Sequence, residues 1–179
     1  MTPLCQLAEK YVTDKYSVHR YTPIYYDLFK DRIGTVRTIL EIGIGRGKGT
    51  LRKHAASLKM WEEFFPLAEV IGVDHDRKIM INEGRIRSVY GDQSLEQTMR
   101  EVALNASPID IVIDDGSHQP AHQVSSARMM LPFVMVGGFY IIEDIRSEVV
   151  FSELSRQFKC ERIHTNKAVA TSLLCVIRC

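Results

Sequence analysis

Residues 109–118 read IDIVIDDGSH. Apart from Asp110, the run 109–113 is β-branched and apolar, the composition of a strand buried on both faces. It ends in two carboxylates, a glycine, a serine and a histidine. Adjacent carboxylates at the tip of a buried strand cost stability unless something cationic stands beside them. Other apolar runs end the same way. VRTILEIG (36–43) contains Glu41, EVIGVDHD (69–76) reaches Asp74, IRSVYGD (86–92) ends at Asp92, and FYIIEDI (139–145) carries Glu143 and Asp144.

Helical patterns separate these runs. TLRKHAASLKMWEEFF (50–65) is apolar at Leu51, Ala55, Leu58, Trp61 and Phe65, and Pro66 stops it. Ser94, with Gln97 three residues on, predicts a capping box and a helix to about Ala106. A further helix is expected from about Ala121 to Met135, ended by Gly137-Gly138, and another over 147–158. CERIHT (160–165) and SLLCVIRC (172–179) read as strands joined by NKAVAT with no helix between them. The prediction is an α/β fold: a doubly wound, mostly parallel, seven-stranded Rossmann-like sheet with an antiparallel C-terminal hairpin. Such sheets bind ligands beyond the C-terminal ends of their strands, where the acids lie.

The 179 residues fit a single domain, 1–179, with an N-terminal helical segment over 1–33 and the Rossmann-like core over 34–179. A net charge of +1 argues against a dedicated nucleic-acid binder. No apolar run approaches the roughly 18–20 residues that span a bilayer. MTPLCQLAEK lacks the basic-then-apolar order of a signal peptide, so a cytoplasmic protein is expected. Cys5, Cys160, Cys175 and Cys179 form no CxxC pair and are read as reduced thiols rather than zinc ligands.

The first loop, EIGIGRGKGT (41–50), has glycines at 43, 45, 47 and 49, which let the backbone approach a ligand closely. It is no phosphate-binding P-loop, since GxxxxGK[ST] is absent. Glu41 would repel a pyrophosphate and suit the sulfonium and ammonium of S-adenosylmethionine. Asp74 is positioned to accept hydrogen bonds from ribose hydroxyls, and Asp92 or Gln93 to bond an adenine amino group. The carboxylates of IDDGSH and IIEDI suit a hard cation such as Mg²⁺. Such an ion lowers the pKa of a hydroxyl it binds. His118 follows as a general base, and His122, one turn on, reads as a surface or supporting residue.

Four stretches, TDKYSVHRYTPIYY, SLKMWEEFFP, GRIRSVYGDQS and IDIVIDDGSH, are together more discriminating than a glycine loop. Through them the chain resembles class I S-adenosylmethionine-dependent methyltransferases. More narrowly it is similar to metal-dependent sugar O-methyltransferases of the mycinamicin 2''-O-methyltransferase type. The resemblance implies Mg²⁺ ligands at Asp115, Glu143 and Asp144, with His118 as base. It implies cofactor contacts at Glu41, Gly43, Gly45, Asp74, Asp92 and Gln93, and at Thr13 and Ser57. A catechol-type alignment would move the metal ligand to Asp114. The sugar-enzyme spacing favours Asp115 and leaves Asp114 to face the cofactor or brace its neighbours. The segment holding Thr13, Lys15, His19, Tyr21 and Tyr25 resembles one that closes over the cofactor as a lid.

Two features depart from the family. Residues 46–55 are basic (Arg46, Lys48, Arg52, Lys53), as a solvated helix start or a contact for an anionic acceptor. After IIEDI the chain runs directly into helix, where the family has an aromatic-rich loop. The acceptor then brings its own surface, or a second subunit of a homo-oligomer completes the pocket. The expected function is Mg²⁺-dependent methyl transfer from S-adenosylmethionine to a hydroxyl of a sugar or glycosylated small molecule, with no membrane or nucleic-acid partner. The alternatives are a non-catalytic S-adenosylmethionine-binding subunit, an RNA 2'-O-methyltransferase, supported only by the basic stretch, and an NAD-dependent oxidoreductase, which Glu41 opposes.

Overall fold

A computed structural model describes residues 1–45, 55–165 and 173–179. Three helices, α1 (Pro3–Tyr11), α2 (Asp14–Ser17) and α3 (Tyr21–Phe29), precede an alternating series. It runs β1 (Thr38–Ile42), α4 (Ala56–Phe64), β2 (Glu69–Asp74), β3 (Asn82–Glu83), β4 (Ile86–Tyr90), α5 (Glu96–Ala106), β5 (Ile109–Asp114), α6 (Pro120–Met130), β6 (Val134–Ile142), α7 (Glu148–Leu154), β7 (Cys160–His164) and β8 (Leu173–Arg178).

The described strands form one sheet in the order β3-β4-β2-β1-β5-β6-β8-β7. Strands β4, β2, β1, β5 and β6 are parallel, and β6, β8 and β7 pair antiparallel. This is the predicted doubly wound sheet with its C-terminal hairpin. The eighth strand is the two-residue β3, antiparallel to β4 at the edge and too short to show a period in sequence. The chain reverses direction across the sheet between β1 and β5, and there the strand tips splay into a crevice.

Strand alternation sorts the core into two layers. Ile39, Ile111, Ile113, Phe139 and Ile141 face α1, α3 and α4, against Tyr21, Tyr25, Phe29, Trp61 and Phe65. Leu40, Ile42, Val112, Tyr140 and Ile142 face α5, α6 and α7. In the first layer Tyr25 and Phe29 stack at 5.7 Å, with Trp61 edge-on to Tyr25 at 5.5 Å. Truncating Trp61 in this layer would cost about 3–5 kcal/mol. The 1–33 segment is therefore part of the core: Leu4, Ala8, Tyr21, Tyr25 and Phe29 are fully buried.

Two local expectations are corrected. Gly137-Gly138 does not end a helix, because α6 stops at Met130 and both glycines lie inside β6. Gly137 has φ +81°, and the β5–β6 register shifts between Ile109 and Ile111, so the pair makes a bulge. Ser94 does not cap α5, whose N-cap is Leu95. Its N–H and hydroxyl instead donate to Asp92 Oδ1, at 2.9 and 2.6 Å. The local turn wins over the capping box. The basic cluster Arg46, Lys48, Arg52 and Lys53, and the first turns of the helix expected from residue 50, lie outside the described residues.

Candidate active site

A cavity of 810 Å³ opens at the tips of the parallel strands, in the size range of small-molecule sites. Thr13, Gly43, Gly45, Ser57, Asp74, Asp92, Gln93, Asp115, His118 and Asp144 all line it, so ten of the expected site residues share one space. Glu41, Asp114 and Glu143 lie just beneath its wall.

On the β1–β2–β4 side the wall is made by backbone. Gly43 has φ +85°, and a Cβ there would stand 2.2 Å from the Asp115 carbonyl oxygen. Only glycine allows β1 to turn so close to the loop after β5. Asp74 Oδ2 accepts from the N–H groups of Ile44 (3.2 Å) and Gly45 (3.3 Å) and so holds the glycine turn as well as facing the cavity. Gln93 is a strut: its Nε2 donates to Asp114 Oδ1 at 2.6 Å and its Oε1 accepts from Ser117 N–H at 2.8 Å. That use competes with the adenine contact expected of its side chain.

Asp114 and Asp115 point to opposite faces, as alternation requires. Asp114 is fully buried, accepts from Gln93 and from the Tyr140 hydroxyl (3.1 Å), and does not line the cavity. Burial pushes its carboxyl up to about 7. Of the two roles open to it, the structure shows bracing. Asp115 faces the N-terminal helices. Asp144 escapes strict alternation because its φ is +52°, which turns it toward α3. There its Oδ1 accepts from the Tyr21 hydroxyl at 2.6 Å and lies 3.2 Å from His19 Nδ1.

The cation demanded by the clustered acids is present within the chain. Lys15 Nζ lies 2.7 Å from Glu143 Oε1, 2.8 Å from Asp115 Oδ2 and 3.2 Å from Glu41 Oε1, and Lys15 is 1% exposed. Burial alone would lower its pKa, but the three carboxylates outweigh that and raise it well above the ordinary lysine value. Glu143 Oε1 also accepts from the Tyr25 hydroxyl at 2.6 Å, and Glu41 Oε2 from the Trp61 indole at 2.8 Å. Burial first, and Asp115 next, raise the Glu143 carboxyl well above the usual range; burial raises Glu41 as well. In sequence, Lys15, Tyr21 and Tyr25 are legible only as polar or aromatic members of the segment expected to close over the cofactor. Their sequence distances from the acids, 100 residues or more for the contacts to Asp115, Glu143 and Asp144, hide the pairing.

His118 sits in the left-handed region, φ +56°, a strained position for a non-glycine residue. The turn aims its Nε2 at two carboxylates: 4.0 Å from Asp115 Oδ1 and 3.9 Å from Asp144 Oδ2. Among the described residues its buried Nδ1 has no hydrogen-bond partner. Among the described residues no three His, Cys, Asp or Glu side chains stand together as a ready metal shell. The donor chemistry nevertheless fits Mg²⁺. Three carboxylates share one ammonium and Asp144 stands beside them, and Mg²⁺ takes one or two carboxylates, completing its shell with water and substrate oxygens. Asp115 Oδ1 and Asp144 Oδ2 are the pair at the cavity wall. Glu143, expected as a third ligand, has its Oε1 shared between Lys15 and Tyr25.

No protein-family model matches the chain. Curated relatives do. The chain is 40% identical over 143 residues to 8-demethyl-8-(2-methoxy-alpha-L-rhamnosyl)-tetracenomycin-C 3'-O-methyltransferase of Streptomyces olivaceus, covering 79% of this chain and 36% of the relative. It is 39% identical, with the same coverage, to mycinamicin VI 2''-O-methyltransferase of Micromonospora griseorubida. It spans little more than a third of the length of these relatives. The solved MycE methyltransferase of the mycinamycin pathway, in complex with Mg and SAH, superposes at a TM-score of 0.74, covering 80% of this chain and 37% of that one. A caffeoyl-CoA O-methyltransferase structure from Staphylococcus aureus, described as putative, matches the fold alone at 14% identity and a TM-score of 0.64, over 99% of this chain. In sequence the chain is similar to these sugar O-methyltransferases over about four fifths of its length, and its fold is the Rossmann-like α/β methyltransferase fold of the solved MycE.

Proposed function

We propose that the chain is an S-adenosylmethionine-dependent, Mg²⁺-dependent O-methyltransferase acting on a hydroxyl of a sugar or glycosylated small molecule. The observation that carries this reading is the placement of His118 Nε2 before Asp115 Oδ1 and Asp144 Oδ2, in the same cavity as Gly43, Gly45, Asp74 and Asp92. The relatives support it: MycE has been solved with Mg, SAH and mycinamycin VI. Asp74 receives the ribose hydroxyls and Asp92 the adenine amino group, while the Gly43–Gly45 backbone, Thr13 and Ser57 line the cofactor's path. Asp115, Glu143 and Asp144 would hold the ion. When bound, the ion lowers the pKa of the acceptor hydroxyl. His118 Nε2 takes the hydroxyl proton as that oxygen bonds to the methyl carbon and the carbon–sulfur bond breaks, its electron pair going to sulfur and S-adenosylhomocysteine leaving. The wall positions the oxygen about 3 Å from its target, which is where much of the acceleration arises.

Residues 1–179 act in this reading as one methyltransferase domain in the cytoplasm. The short segment after Asp144 leaves acceptor binding to a second subunit or to the acceptor's own surface. Among the described residues no helix is long and apolar enough to cross a membrane. The test is calorimetry with SAH and with NAD⁺, followed by methyl transfer to a panel of aryl glycosides with and without EDTA. The reading expects SAH binding, no NAD⁺ binding, and transfer that EDTA abolishes and Mg²⁺ restores. Binding of NAD⁺ alone, or full activity in chelator, would contradict it.

A further inference from the structure

The acids of the site are gathered around two places rather than one. The inner position is bounded by Glu41 Oε1, Asp115 Oδ2 and Glu143 Oε1 and is filled by Lys15 Nζ. The outer position lies at the cavity wall, between Asp115 Oδ1, Asp144 Oδ2 and His118 Nε2. Asp115 belongs to both, one oxygen to each. The inner position is built for a positive charge: among the described residues, buried Glu41 Oε1 makes no hydrogen bond and has Nζ as its cation partner at 3.2 Å. Lys15 is delivered there by a rigid turn. Thr13 Oγ1 accepts from Lys15 N–H at 3.4 Å, Thr13 N–H donates to Ala8 O at 3.0 Å, and Val18 N–H closes α2 on Asp14 O at 3.0 Å.

We propose that Lys15 is a positioning residue that fills the inner carboxylate hole and so confines a divalent ion to the outer position beside His118. Without the ammonium, the carboxylate oxygens of Glu41, Asp115 and Glu143 would form a cation site that competes with the outer one for the ion, since both draw on Asp115 and Glu143. An ion drawn inward would leave the acceptor oxygen and His118. With the ammonium in place, a divalent ion a few ångströms away is repelled from the hole and held where a hydroxyl can reach it. This inference rests on the proposed metal-dependent methyl transfer, but its central readout, Mn²⁺ binding, does not depend on activity.

The test is Mn²⁺ titration followed by electron paramagnetic resonance on the wild type, Lys15→Ala and Lys15→Gln, with SAH calorimetry and turnover measured in parallel. Wild type is expected to bind a single Mn²⁺. Both variants are expected to bind Mn²⁺ at least about tenfold more tightly, still one ion per chain, since a repelling charge has been removed at short range. Turnover should fall by about tenfold or more, with SAH affinity unchanged. Tighter metal with slower turnover is the signature; a merely structural lysine would lose both together. Mn²⁺ affinity equal to or weaker than wild type, or turnover unaffected, would overturn the proposal. If neither variant folds, wild type decides: two Mn²⁺ per chain would show that the ammonium does not exclude the ion. Failure of the methyltransferase reading shows separately, as wild type that binds no SAH.

Discussion

The two halves of the cavity are built by different means. On the β1–β2–β4 side, backbone turns and adjacent strand tips hold one another: Asp74 binds Asp76 N–H at 2.9 Å and the Ile44 and Gly45 N–H groups, Asp92 binds Ser94, and Gly43 turns on its own φ. On the β5–β6 side the partners come from the far end of the chain: Lys15, His19, Tyr21 and Tyr25 reach Asp115, Glu143 and Asp144. The first half needs a shaped backbone to approach a cofactor. The second needs charge held at high density, and only a distant, well-packed element supplies enough donors for that. The first side thus rests on backbone turns at adjacent strand tips and the second on contacts with the N-terminal helices.

Changes that separate the halves should have separable effects. His118→Ala removes the proposed base and is expected to lower turnover by roughly 10²-fold or more, with SAH affinity intact by calorimetry. Loss of SAH binding without a turnover defect would tie His118 to the wrong half. Gly43→Ala strikes the point where the halves touch, since the new Cβ meets Asp115 O at 2.2 Å in a positive-φ turn. Chemical denaturation should show a loss on the order of 3 kcal/mol, and SAH and Mn²⁺ binding should weaken together. Tyr25→Phe removes a hydrogen bond from buried Glu143 and should cost about 1–3 kcal/mol, with SAH affinity unchanged.

Asp114 provides a pH test between the halves. Its folded carboxyl titrates near 7, above the ordinary 3.8, so between those values the folded state holds a proton that the unfolded state has released. Its contribution therefore destabilises increasingly as pH rises from about 4 to 7. In chelator, wild type should lose melting temperature over that window relative to Asp114→Asn. Parallel curves would show that Asp114 is not the titrating group.

The fold was legible because its evidence is periodic. Apolar runs separated by helical spacing recover the parallel core, and the missing helix between 160–165 and 172–179 recovers the hairpin. Where one-residue geometry decides, the reading failed: Gly137-Gly138 looks the same in sequence as a helix stop and as a bulge. In the site, alternation separates Asp114 from Asp115, but the turn that brings Asp144 to the side of Asp115 depends on a positive φ that no pattern announces. Lys15 is the clearest case. The crowded acids require a cation, and the reading assigned that need to Mg²⁺ alone. A lysine 100 residues from Asp115 supplies part of it, and only the packing of α1–α3 on the sheet shows this.

The most direct measurement is a crystal structure with SAH and Mn²⁺, using the anomalous signal of manganese. The account predicts SAH along Gly43, Asp74 and Asp92, and a manganese peak bonded to Asp115 and Asp144 beside His118, with Lys15 still against Glu143. Bound SAH with no manganese peak at those carboxylates would contradict it.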